Sequence, residues 1–478
     1  MSVLLTITLA FQYVVLAYFA LLNLGYTLFG YLGLRSIIVY TRELSHLTLR
    51  DLLARESYKP VSILVPAFNE EKSIVASVHS FLGLRFPEFE VVVVSDGSTD
   101  ATILRLIEAF ALVEIPAVYC RTLPSAPVRR MFRSLKHANL VVLEKDNGGK
   151  ADALNAAIDV ARYPLVCTVD ADSLLDADAL LRATRPFLED DDVIAIGGTI
   201  RPLNGATVSE GRVSALSMPK RWIERLQILE YTRAFFSGRA GWSHFDALLI
   251  ISGAFGVFRR SAVIEVGGYL VGTVGEDMEL VVRLHRYYRE HQRSYRILFT
   301  PDPICWTEVP ADLGTLRRQR NRWHRGLWET LWQHRTLLFN PRYGRLGTFA
   351  FPYFLVFEGL APLVEALGWL MIPATLALGI FNGWFALLFL ALSVLYGMLL
   401  SQLAVGIETL LLQRYPRLSD RLLLFAAAFL EFAGYRQILV FERCLATLQV
   451  FKKRGQWGRM ERQGIREQPS APRAGVVP

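Results

Sequence analysis

Apolar positions in this chain follow two regimes. In residues 1–34 and 346–450 they run on almost unbroken, whereas in residues 60–340 short apolar stretches alternate with polar ones. A run of about 20 apolar residues crosses a bilayer as a helix, and the first 34 residues hold no charged side chain. No basic leader of the kind that opens a cleaved signal peptide precedes this run, so it is expected to span once, starting outside. Residues 35–59, "RSIIVYTRELSHLTLRDLLARESYK", mix charge with apolar residues at helical spacing, the pattern of a helix lying along the inner membrane surface. Residues 359–380 and 385–411 predict two further spans joined by the turn "IFNGW". Residues 422–450 are long enough for another, but they carry Glu431, Arg436, Glu442 and Arg443, so a partly interfacial or protein-buried course is expected. Glu358 and Glu365 are costly in lipid and should face protein, water or a pore.

In the middle of the chain the pattern changes to strand and helix in turn. "VSILVPAF" (61–68), "FEVVVVSD" (89–96), "NLVVLEK" (139–145) and "PLVCTVDAD" (164–172) read as strands. Between them "NEEKSIVASVHSFLGL", "TDATILRLIEAFALV" and "GKADALNAAIDVAR" read as helices. Continuous apolar strands separated by helices imply an α/β domain whose parallel sheet is covered on both faces. Such sheets bind ligands at the carboxyl ends of their strands. Asn69 and Glu70, Asp96, Lys150, and the pair Asp170 and Asp172 all fall at those ends, so four strand ends point to one crevice.

Each polar cluster has a plain reading beside a chemical one. In an extended segment Asp170 and Asp172 project to the same side, and two close carboxylates repel unless a cation joins them. Mg²⁺ is commonly held by one or two carboxylates plus substrate phosphates, so "DAD" could clamp a diphosphate through a metal. The plain alternative is a helix-capping Asp with a solvated neighbour. In "SDGSTD" (95–100), Asp96 and Gly97 could make a turn with Ser98 or Thr99 capping the next helix, or Asp96 could bind a base such as uracil. Lys150 stands at a helix start, where a cation opposes the dipole and an anionic ligand would relieve the conflict. In "GEDMELVVRLHRYY", Asp277 sits where an N-cap belongs; its chemical role would be a general base. Five arginines crowd residues 317–325. They make either a solvated or headgroup-facing helix surface, or a site where Arg322 neutralises a leaving diphosphate and Trp323 stacks on a sugar.

Charge and cysteine usage narrow the picture. Apolar residues make up 52% of the 478, and net charge is +8. Residues 451–478 hold seven Lys/Arg against two Glu. A basic tail after an apolar segment reads as cytosolic and lipid-facing, which removes nucleic acid as a partner. Cys120, Cys167, Cys305 and Cys444 are widely spaced and fit neither zinc ligation nor a disulfide framework.

Together "VPAFNE", "VSDGSTD", "NGGKADALNAA", "VDAD", "ISGAFGVFRR", "GED" and "QRNRW", in this order over residues 60–330, resemble the processive, membrane-integrated inverting family 2 glycosyltransferases. Cellulose, hyaluronan, chitin and poly-N-acetylglucosamine synthases belong to that family. The resemblance implies a GT-A fold, the Rossmann-like arrangement of nucleotide-diphospho-sugar transferases, as a cytosolic domain joined to transmembrane helices. It divides the chain into an N-terminal transmembrane helix (1–34), a juxtamembrane segment (35–59), a GT-A domain (60–305), amphipathic interface helices (306–345), transmembrane or interfacial helices (346–450) and a basic cytosolic tail (451–478). It also implies roles. Glu70, Asp96, Lys150, Asp170, Gln319 and Arg322 would bind the nucleotide donor, with Asp172 as ligand of Mg²⁺ or Mn²⁺. Asp277 would be the catalytic base, and Ser252, Gly253, Glu276 and Trp323 would border the acceptor.

The activity implied is transfer from a UDP-sugar to a growing β-linked polysaccharide, coupled to export across the inner membrane, with accessory export subunits as further partners. Two other readings remain open: single addition to a glycolipid acceptor, as in ceramide glucosyltransferases, and a degenerate, non-catalytic membrane scaffold. "GED" stands where many relatives have "TED". The chain also lacks a gating-loop-like segment and the length after residue 450 for a cyclic-dinucleotide domain, which argues against a bacterial cellulose synthase.

Overall fold

The computed structural model describes residues 2–45, 58–209, 211–412, 415 and 417–450. The described residues fall into two compact units. One gathers those of Met1–Val39, Arg221–Ala247 and Pro310–Gly458; the other, those of Tyr40–Lys220 and Leu248–Val309. Much of the expected juxtamembrane helix (46–57) and the whole basic tail lie outside the described residues.

The α/β unit holds twelve strands among the described residues: β1 (Val61–Ala67), β2 (Phe89–Asp96), β3 (Leu112–Ile115), β4 (Val128–Ser134), β5 (Leu140–Lys145), β6 (Leu165–Val169), β7 (Ser173–Leu175), β8 (Val193–Pro202), β9 (Ala206–Ser209), β10 (Arg212–Leu216), β11 (Phe255–Arg259) and β12 (Arg296–Thr307). Ten of them form one sheet in the order β3-β4-β5-β2-β1-β6-β11-β8-β12-β7, and β9 pairs with β10. The centre β5-β2-β1-β6 is parallel, as the alternating pattern predicts. Its β-branched residues meet helices on both faces, and Val61, Ile63, Leu64, Val91, Val92 and Val93 are fully buried.

Strands that the sequence reading does not include extend this parallel centre into a mixed sheet. β11 runs antiparallel to β6 and β8, and β4 runs antiparallel to β3 and β5. Apolar continuity reports burial on both faces of a strand but says nothing of its direction, which the connections set.

Two helix starts also move. The helix expected from Asn69 begins at Ile74, so its acids lie before the first turn rather than in it. Asn69 itself takes a left-handed φ of 57°. The helix expected over residues 99–113 spans Thr102–Phe110, and its last residues become β3.

In the helical unit four segments among the described residues are long and apolar enough to cross a membrane: Val3–Tyr40, Leu346–Ala377, Gly383–Leu410 and Leu418–Gln449. The first is one continuous helix, Ser2–Ser45. The last is interrupted at Ala433 and Gly434, where Gly434 adopts a φ of 108° that only glycine takes without strain. Four of its charged residues, Glu431, Arg436, Glu442 and Arg443, find partners inside this unit. Glu431 pairs with Arg233 at 2.8 Å, Arg436 with Glu365 at 2.9 Å, Glu442 with Arg317 at 2.8 Å and Arg443 with Glu358 at 3.7 Å. Glu358 and Glu365 thus face protein, because a charge in a low-dielectric region persists only when paired.

Candidate active site

The loops that leave β1 and β2 are sewn together. The Asn69 side-chain oxygen accepts the Thr99 N–H at 2.8 Å, and the Glu70 N–H donates to Thr102 Oγ1 at 2.8 Å. Ser98 and Thr99, read as helix caps, instead hold Asn69. The helix N-cap is Ala101, without a side-chain cap, and Asp100 just before it accepts the Thr102 N–H on its Oδ1 at 3.0 Å. Glu70 is buried, and its Oε2 takes the Ser73 hydroxyl at 2.7 Å.

Asp96 ends β2 opposite Lys145, which ends β5 in matched register. The Lys145 ammonium is fully buried and lies 2.6 Å from Asp96 Oδ1, 2.5 Å from Asp152 Oδ1 and 2.6 Å from the Asp146 carbonyl. Asp96 also receives the Gly148 N–H at 3.0 Å and the Gly149 N–H at 2.7 Å. Its carboxylate therefore pins the "NGGK" loop, and the loop delivers Lys150 to the start of the helix Lys150–Val160. A Cβ at Gly148 would come within 2.3 Å of Asp152, so the loop is closed down on that carboxylate. Lys145 and Asp152 went unnoticed in the sequence. The available signal was two adjacent strands ending in opposite charges.

Lys150 gathers three distant segments. Its Nζ lies 2.5 Å from Asp170 Oδ1, 3.1 Å from the Gly253 carbonyl and 3.6 Å from Glu276 Oε1. Burial pulls this ammonium's pKa down, but Asp170 and Glu276 outweigh it and hold the pKa above the usual lysine value. Gly253 in turn donates its N–H to Asp277 Oδ2 at 2.9 Å. A Cβ at Gly253 would stand 2.8 Å from Lys150 Nζ, so only glycine permits this approach.

Glu276 and Asp277 open the helix Glu276–Glu290, whose N-cap is Gly275 and not Asp277 as its position suggested. Asp277 instead accepts the Met278 N–H at 2.8 Å within the first turn. Burial, opposed by Lys150 and reinforced by Asp277, pushes the Glu276 pKa up to about 7.

The "DAD" geometry differs from the extended segment expected. β6 stops at Val169, and the Ser173 N–H donates to the Asp170 carbonyl at 3.1 Å, closing a turn. The two carboxylates consequently differ: the Asp170 side chain is 29% exposed and tied to Lys150, whereas Asp172 is 1% exposed. Among the described residues no three His, Cys, Asp or Glu side chains group as a metal cage. One or two hard oxygen donors at a strand exit still suit a divalent ion that completes its shell with substrate oxygens and water.

Three further sequence candidates, Gln319, Arg322 and Trp323, lie in the helical unit on the helix Leu313–Gln333. Gln319 is buried and its Oε1 accepts from Arg320 at 2.7 Å; Arg320 also pairs with Glu230 at 2.7 Å and lies 4.2 Å over the Trp323 ring. Arg322 is buried, while Trp323 is 45% exposed. Ser252, next to Gly253, is half-buried and its carbonyl accepts the Phe255 N–H at 3.1 Å.

Residues 59–326 match the family described as glycosyltransferase-like family 2. The chain belongs to this family. It is a glycosyltransferase with an α/β unit of GT-A type, and its apolar helices make it membrane-integrated. Poly-β-1,6-N-acetyl-D-glucosamine synthase of Staphylococcus aureus is 26% identical over 328 residues, which cover 68% of this chain and 67% of the relative. The enzyme of the same name from Staphylococcus epidermidis is 28% identical over 285 residues, or 59% of this chain and 58% of the relative. Among solved structures, a mannosyltransferase from Pyrobaculum calidifontis in complex with GDP-Man and Mn²⁺ aligns at 18% identity. That alignment has a TM-score of 0.48 and covers 90% of this chain and 99% of its own.

Proposed function

We propose that this glycosyltransferase extends a β-linked polysaccharide processively from a UDP-sugar, with N-acetylglucosamine as the sugar its synthase relatives favour. The observation that carries the reading is the convergence on Lys150 and Gly253: one ammonium touches Asp170, Glu276 and the Gly253 carbonyl, and Asp277 holds the amide of the same glycine. A crevice with excess negative charge, one permanent cation and a carboxylate at a helix start suits donor diphosphate binding beside an acceptor hydroxyl.

In the reaction Asp277 takes the proton of the acceptor hydroxyl. The acceptor oxygen forms the new bond to the anomeric carbon as the bond from that carbon to the diphosphate oxygen breaks, and the electron pair leaves on UDP. Attack from the opposite face inverts an α-linked donor to a β product without a covalent intermediate. Lys150 stays protonated and favours negative charge beside it. Asp172, with Asp170 nearby, would hold Mg²⁺ or Mn²⁺, which supplies positive charge to the departing diphosphate. Glu70 and Asp96 are assigned to the nucleotide side, Gln319 and Arg322 to the diphosphate, and Ser252, Gly253, Glu276 and Trp323 to the acceptor. The α/β unit and the basic tail are assigned to the cytosol, with Leu418–Gln449 taking a partly interfacial or protein-buried course rather than crossing, as the basic loop around residues 413–421 and the positive-inside rule support.

The test uses the full chain in nanodiscs with UDP-N-acetylglucosamine and Mg²⁺ or Mn²⁺. Release of UDP together with a product ladder supports the proposal. A single sugar on a lipid overturns processive synthesis, and no UDP release from any UDP-sugar overturns the donor class.

A further inference from the structure

A cleft of about 260 Å³ opens on the helical unit between the helix Ser2–Ser45 and the start of the span Gly383–Leu410. Gln12 stands in its wall and is 2% exposed. The Gln12 Oε1 accepts from Asn382 Nδ2 at 2.9 Å, and the Asn382 oxygen is occupied in turn by the Phe385 N–H at 3.2 Å. Gln12 Nε2 meets no acceptor among the described residues. A buried amide donor left without an acceptor costs about 1–3 kcal/mol, so the cleft asks for an oxygen.

The surroundings say whose oxygen. Asn382 lies in the turn between the spans Leu346–Ala377 and Gly383–Leu410, where the chain leaves the apolar layer. At the same level Tyr13 is 70% exposed and Trp384 74% exposed, the placement of aromatic residues at a membrane–water boundary. Below them Leu16, Phe385 and Leu388 continue the wall as an apolar strip. A second protein helix is a poor occupant, because its backbone carbonyls are spent on its own hydrogen bonds. Phospholipid ester carbonyls lie at the boundary between headgroup and acyl chain, and their acyl chains suit the strip.

We propose that this cleft is a phospholipid site, in which an ester carbonyl accepts from Gln12 Nε2 and the acyl chain lies along Leu16, Phe385 and Leu388. The site is separate from the transfer chemistry and stands or falls independently of it.

The full chain is reconstituted in nanodiscs of phosphatidylethanolamine and phosphatidylglycerol carrying a diazirine-tagged phosphatidylglycerol, and crosslinked peptides are mapped by mass spectrometry. Labelling should concentrate on the peptides holding residues 12–16 and 382–388. It should fall about fivefold in Gln12→Leu, the loss expected for one buried hydrogen bond, and as strongly in Leu388→Trp, which fills the cleft. An ether-linked phospholipid, which lacks the carbonyl, should compete poorly with an ester-linked one. UDP release should stay unchanged in both variants, which shows that they fold. Equal labelling in wild type and Gln12→Leu, absence of label from these peptides, or equal competition by the ether lipid each overturns the proposal.

Discussion

In the helical unit five ion pairs each join one arginine to one glutamate. Arg233, Arg317, Arg320, Arg436 and Arg443 each meet a glutamate: Glu431, Glu442, Glu230, Glu365 and Glu358. In the crevice of the α/β unit the ratio is different. Lys145 serves Asp96 and Asp152, and Lys150 faces Asp170, Glu276 and Asp277. The residue types follow the task. A guanidinium forks onto one carboxylate and closes the pair, as Arg436 does with both oxygens of Glu365. An ammonium is a point charge that several carboxylates can share, and sharing leaves a surplus of negative charge. These pairs neutralise charge within the helical unit, whereas the crevice keeps an acidic balance that a cationic ligand can answer.

The sharpest way to separate these two uses of charge is to alter the carboxylate assigned to chemistry. Asp277→Asn should keep donor binding and lower transfer by about 10²–10⁴-fold, the usual worth of a general base, measured as UDP release beside donor titration. A wild-type rate would end the base assignment.

Next, Arg436→Ala strands Glu365 in the helical unit and should cost about 3–5 kcal/mol of stability, read as a fall in thermal midpoint in detergent. Removing both partners as Arg436→Met with Glu365→Gln should cost clearly less, because no lone charge remains. Equal losses would show that the pair acts by packing and not by charge matching.

A third test uses pH. His285 is buried, donates Nε2–H to the Leu248 carbonyl at 2.9 Å and accepts the Tyr295 hydroxyl at Nδ1 at 2.8 Å. Burial pushes its pKa down from 6.5 to about 4. The unfolded chain therefore binds more protons between these values. The stability His285 contributes is complete above about pH 6.5 and is lost as pH falls towards 4, by up to about 3 kcal/mol. Glu276 has the opposite sign, since its raised pKa makes the buried carboxylate costly above pH 7 and relieved on acidification. The stability gap between wild type and His285→Asn should accordingly shrink between pH 7.5 and pH 5 in denaturation curves, whatever Glu276 contributes to both. A constant gap contradicts the assignment.

The smallest effect concerns the sharing of Lys150. Gly253→Ala puts a methyl against its ammonium, and a modest displacement of Lys150 should reduce kcat by about tenfold with little change in stability. An unchanged kcat would mean that this contact does not tune the site.

The sequence by itself determined the elements whose signal is local. Hydropathy marked the apolar helices, because the bilayer sets a minimum apolar length. Alternating strands and helices marked the parallel centre of the sheet, and the polar residues at or just after its strand ends, Asn69, Glu70, Asp96, Lys150, Asp170 and Asp172, marked one edge of it. The direction of β4 and β11 was not legible, since strand polarity is set by the connections and not by the pattern within a strand. Nor were the pairings across long stretches of chain. That Lys145 closes on Asp96 and Asp152, that Gly253 seats both Lys150 and Asp277, and that Glu365 meets Arg436 depend on backbones that only the folded chain brings within hydrogen-bond reach. Charge attraction is effective over a few ångströms, and those ångströms exist only in the tertiary structure.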